Sequence, residues 1–197
     1  MPKDLCREAR PAGMISANAV LWASCLTVLT VGINSTAIMA ALPTMRSEVP
    51  LSATGVQWAV NAYLIVAAAC IVAGGDAAGR IGDCAAAIAG VVLFSRGPSA
   101  IAPTGSQAVL LAGRALQGFG AAFAMPATMA AVGATAGRRA AAIAAWTGFL
   151  MLGFSLGPLV GGVLTEFAGW RVIFWLSVPL MLTAALGLAI GGRRRAP

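Results

Sequence analysis

The run Arg114-Ala115-Leu116-Gln117-Gly118-Phe119-Gly120-Ala121-Ala122 sits inside an apolar stretch, and Gly153-Phe154-Ser155-Leu156-Gly157-Pro158-Leu159-Val160-Gly161-Gly162 occupies the next one. A guanidinium at bilayer depth costs about 2.5–3.5 kcal/mol on insertion scales, so a chain keeps one there where protein or enclosed water receives it. Gly153, Gly157 and Gly161 recur at every fourth position and let two helix backbones approach closely. Pro158 withholds the bond normally made to the Phe154 carbonyl, so that helix can bend there. Together the two runs predict a polytopic membrane protein whose helices pack around a polar group.

Composition agrees. The 197 residues are 59% hydrophobic and 10% charged, with mean hydropathy +0.88; an ordinary soluble domain is about 25% charged. The segments between glycines and prolines are too apolar for a disordered chain. The net charge of +7 lies in short segments between apolar stretches, the pattern of orientation signals, so no nucleic-acid partner is expected. Histidine is absent, which removes the usual acid–base group near neutral pH. Cys6, Cys25, Cys70 and Cys84 show no metal-type spacing, so neither a disulfide framework nor a zinc site is expected. With no nucleophile–base pair, phosphate loop or metal set, the chain reads as a non-enzyme without cofactor or metal.

Six apolar stretches cover 17–41, 56–73, 84–102, 108–125, 141–164 and 172–190. Spanning takes about 20 helical residues, with about 17–25 usual, and helices satisfy every backbone amide within their own segment. The expected fold is all-α and integral to the membrane. It comprises an N-terminal segment 1–16, a six-helix domain 17–190 and a basic tail 191–197. Arg96-Gly97-Pro98 predicts an interruption of the third stretch. With the N-terminus inside, Lys3, Arg7, Arg10, Arg80, Arg138, Arg139, Arg193, Arg194 and Arg195 fall on the cytoplasmic side. Only Arg46, Arg96 and Arg171 fall outside. That bias predicts two cytoplasmic ends in a plasma membrane and an even number of spans. Leu42-Pro43-Thr44-Met45 and Met125-Pro126-Ala127-Thr128-Met129 echo each other at the ends of the first and fourth stretches, as a three-plus-three repeat would place them.

Several runs, in order on successive spans, carry a resemblance. They are Asn34-Ser35-Thr36 with Ala41-Leu42-Pro43, then Gln57-Trp58 with Tyr63-Leu64, then Arg114 to Ala122, Gly153 to Gly162, and Gly169-Trp170-Arg171 with Val178-Pro179. The chain resembles the major facilitator superfamily, in particular its fourteen-helix drug:proton antiporter branch, and looks like the amino-terminal half. The resemblance implies a transporter that exports small organic compounds in exchange for protons, with Arg114, Gln117, Asn34 and Asn61 lining a central cavity. It implies that Gly75, Asp76, Arg80, Gly82 and Asp83 form a cytoplasmic gating loop. It also implies that Gly153, Gly157, Pro158, Gly161 and Gly162 form a helix-packing motif that seals the contact with a second half.

Two departures stand out. The gating motif usually carries an acid before its arginine, and Gly79 stands there; Asp76, four residues before Arg80, can supply a carboxylate. Asn34 stands where the branch commonly has an acid, and an amide does not take up and release a proton. Expected partners are the bilayer, a small-molecule substrate, protons, and a second copy or another half-transporter. A truncated unit without transport, or a subunit that binds another transporter through the Gly153–Gly161 face, are the competing readings. Trp58, Trp170 and Trp175 read as interfacial anchors, and Glu166 as hydrated.

Overall fold

The computed structural model describes residues 14–134 and 139–193. Among them are six helices and no strand: α1 (Met14–Glu48), α2 (Ala53–Ile81), α3 (Asp83–Ile101), α4 (Gln107–Gly133), α5 (Arg139–Ala168) and α6 (Arg171–Arg193). All six are long and apolar enough to cross a membrane. Cys6, Lys3, Arg7, Arg10, Arg138, Arg194 and Arg195 lie outside the described residues. So does most of the expected N-terminal segment, and the tail past 193.

The helices overrun the apolar stretches. α1 continues through Pro43 to Glu48, and α2 runs eight residues past Ala73 to Ile81. Polar residues at a membrane interface still satisfy their amides best by staying helical, so hydropathy marks the lipid-facing length and not the helix end. α3 is unbroken through Arg96-Gly97-Pro98, contrary to the expected interruption. Gly97 and Pro98 are buried while Arg96 is exposed. Gly97 lies against Gly113 and Gln117 of α4, where a side chain would collide, so packing holds the helix through its proline.

The expected gating loop is not a loop. Gly75, Asp76 and Arg80 lie on the last turns of α2, Asp83 opens α3, and the joint is Gly82 alone. Gly82 has φ 91°, a region L side chains rarely adopt, so a glycine turns the chain in one residue. Gly169, at φ 83°, opens the two-residue joint Gly169-Trp170 between α5 and α6.

The closest helix pairs are α1 with α5 and α4 with α2 and α3; α6 packs on α1 and α3. Exchanging α1, α2 and α3 for α4, α5 and α6 maps this pattern onto itself. α1 is the most enclosed helix, and α2 and α5 are the least. Most of the exposed large side chains are apolar residues of the helix flanks, such as Val72, Leu159, Phe167 and Leu186, as a chain solvated by lipid requires.

Candidate functional site: a buried guanidinium shared by four helices

Arg114 is fully buried on α4. Its helix brings it to the bundle centre because Gly118 and Gly113 on the same helix let α2 and α3 close in on either side. Its Nε donates to the carbonyl of Ala59 on α2 at 2.9 Å. Its Nη1 donates to Gln117 Oε1 at 3.0 Å, one turn along α4. The guanidinium carbon lies 4.6 Å from the ring centre of Tyr63, a distance at which a cation is attracted to the ring face.

From Gln117 the bonding continues across the bundle. Gln117 Nε2 donates to Asn34 Oδ1 at 3.2 Å, and Asn34 Nδ2 donates to Ser177 Oγ on α6 at 2.6 Å. Ser177 Oγ donates to the Ile173 carbonyl at 2.7 Å. Every donation runs away from the cation, from α4 through α1 to α6. Beside it, Ser35 donates to the Val31 carbonyl at 2.7 Å. The 3.1 Å contact between Ser35 and Tyr63 therefore uses the phenol as donor.

Charge is the unusual feature. Among the described residues, Arg114 is the only buried charged side chain. The described carboxylates are Glu48, Asp76, Asp83 and Glu166, and all stand at or near helix ends. Arg114 Nη2 is buried without a hydrogen-bond partner. Neutral acceptors and a ring face therefore hold a full positive charge in a low-dielectric setting, where an unpaired buried ion costs several kcal/mol.

Of the residues expected at a central cavity, Arg114, Gln117 and Asn34 meet. Asn61 does not; it lies on the exposed face of α2, as do Gln57 and Trp58. Sequence reading did not single out Ser35 and Ser177, or give Tyr63 its place against the guanidinium. A signal existed: Ser24, Thr27, Thr30, Asn34 and Ser35 are all buried, a polar stripe on α1 at helical spacing.

Asp76 and Arg80 form an exposed ion pair at 2.9 Å on one face of α2. The glycine ladder turns inward, correcting the expected outward seal. Side chains at Gly153, Gly157 and Gly161 would strike Leu29, Ile33, Thr36 and Ala37 of α1, whereas Gly162 has open space. Pro158 and Leu159 are what α5 presents outward. Thr36 Oγ1 accordingly reaches the Phe154 carbonyl at 3.0 Å, in the turn that Pro158 leaves short of a donor. Trp170 is also corrected: it is fully buried, donates Nε1 to Glu48 at 3.1 Å and carries Arg171 on its ring at 4.4 Å. Glu48 and Arg171 are ion-paired. Trp175 and Trp58 are exposed, as is Glu166.

The family model described as Major Facilitator Superfamily matches residues 24–197. The methylenomycin A resistance protein of Bacillus subtilis is 32% identical over 171 residues, covering 83% of this chain and 37% of that protein. The tetracenomycin C resistance and export protein of Streptomyces glaucescens is 31% identical, covering 86% of this chain and 32% of its own. The multidrug efflux pump LfrA of Mycolicibacterium smegmatis is 37% identical, over 80% of this chain and 32% of its own. The chain thus spans about a third of the length of these curated relatives. Six membrane-length helices, a guanidinium sheltered among them and this match together make the chain a multi-pass membrane protein belonging to the Major Facilitator Superfamily.

Proposed function

We propose that this chain is the amino-terminal six-helix unit of an exporter of small amphipathic organic compounds, driven by proton exchange and completed by a second six-helix unit. The observation that carries the reading is the fully buried, carboxylate-free Arg114 at the junction of α1, α2, α4 and α6. A cation in that position costs stability that simple packing would avoid, and rare buried charges in membrane helices belong to transport pathways by default. The export direction and the drug-like cargo are taken from what the relatives are named for. Asn34 carries no exchangeable proton, so coupling falls to a carboxylate that the second unit supplies. The loop charges support a plasma-membrane orientation with both ends cytoplasmic.

The test is proton-driven efflux of an amphipathic dye from vesicles holding the chain with its second unit. Arg114→Ala abolishes it, and Arg114→Lys restores a fraction, because lysine keeps the charge and loses the planar fork. Wild-type efflux by Arg114→Ala removes the residue from transport and leaves the knot as packing alone.

A further inference from the structure

We infer that Arg114 is the receptor for an anion and that the compounds handled by this unit present a carboxylate to it, not an ammonium. The inference rests on the exporter reading above and names its substrate class. Three observations carry it. Among the described residues, the guanidinium is the only buried charge. Its Nη2 is without a hydrogen-bond partner. And the neighbour two bonds away, Asn34, is an amide whose oxygen and nitrogen are both already engaged, by Gln117 and by Ser177. A planar fork with one arm unused fits a carboxylate oxygen. A second cation brought to the same place meets like charge with nothing to offset it.

Arg114 is fully buried, so the anion reaches it only when a covering helix gives way, and α2 is the helix that covers it. α2 is the least buried helix and contributes both the Ala59 carbonyl and the Tyr63 ring that cover the guanidinium. The outer face of α2 holds Asn61 exposed. An anion approaching along that face of α2 meets the Asn61 amide.

The test compares two probes of matched size and opposite charge, naphthylacetate and naphthylethylammonium, titrated into the full chain in lipid nanodiscs with tryptophan fluorescence as readout. Naphthylacetate binds saturably and at least tenfold tighter than the ammonium, and Arg114→Gln removes that preference. Asn34→Asp serves as the second variant, since it places a carboxylate inside the network. It weakens naphthylacetate at least tenfold while the thermal midpoint holds or rises, an outcome that misfolding does not produce. Equal binding of the two probes, tighter binding of the ammonium, no saturable binding of naphthylacetate, or naphthylacetate affinity unchanged in both variants overturns the inference. Because the readout is binding, failure here leaves the efflux result standing, and loss of efflux with an intact carboxylate preference sinks the exporter reading alone.

Discussion

Gln117 Nε2 donates to Asn34 Oδ1 at 3.2 Å across 83 residues of sequence, and through this one bond the buried cation of α4 is tied to α1. Asn34 then hands the connection to Ser177, 143 residues away. Three helices thus depend on one amide.

Asn34→Ala leaves the Gln117 Nε2 donor without a partner in the interior and takes one donor from Ser177 Oγ, which keeps its bond to the Ile173 carbonyl. Each unsatisfied group costs about 1–3 kcal/mol, so the variant is destabilised by at least about 1 kcal/mol in denaturant titration in mixed micelles. A change within error would mean that water replaces the amide, and the knot would lose its structural importance.

Gly161→Val drives a side chain into the backbone of Ala37, whose Cα lies 2.8 Å from the position of the new Cβ. Overpacking costs about 1–3 kcal/mol when neighbours can yield, and a backbone cannot yield cheaply. Gly162→Val meets open space and is tolerated. Protease resistance in detergent separates the two; equal behaviour would refute the inward-facing ladder.

Trp170→Ala empties a fully buried indole site and costs about 3–5 kcal/mol, as large aromatic truncations do. Trp170→Phe keeps most of the volume, loses the bond to Glu48 and lowers the thermal midpoint far less. An interfacial anchor would show similar, small losses for both, because lipid replaces the lost volume and each variant lacks the polar indole edge.

The Asp76–Arg80 pair is well exposed on both sides, and such pairs contribute about 0–1 kcal/mol. Asp76→Asn therefore leaves the thermal midpoint unchanged. Efflux is the decisive measurement: unchanged transport marks a solvated helix end, and a large loss with intact stability restores gating to these residues. Gly82→Ala behaves differently, since φ 91° strains any L side chain by about 1–3 kcal/mol.

Orientation is checked with single cysteines in a background lacking Cys6, Cys25, Cys70 and Cys84. Gly105→Cys and Gly79→Cys both stand in open space. Membrane-impermeant maleimide applied to intact cells labels the first and not the second. Labelling of both from one side would break the proposed topology.

Much of the fold was legible because a bilayer demands about 20 apolar residues per helix, and the six stretches meet that length. Arg114 and Gln117 were legible as a pair because three residues along a helix share a face. Asn61 carried the same polar signal as Asn34, yet one faces outward and the other inward, and composition does not distinguish the faces of α2. Helix ends, the one-residue joint at Gly82 and the burial of Trp170 depended on interfacial packing that hydropathy does not register.

By itself the sequence determined that lipid is the solvent of this chain, that six rods cross it, and that one of them carries a cation too costly to leave bare. Which groups receive that cation was decided by tertiary structure. Ala59 and Tyr63, which hold the guanidinium beside Gln117, and Asn34 and Ser177, which continue the network from Gln117, come from three other helices, and their meeting follows from glycine seams that set how closely those helices approach. Hydrogen bonds act over about 3 Å, so only the packed bundle brings such distant residues within reach.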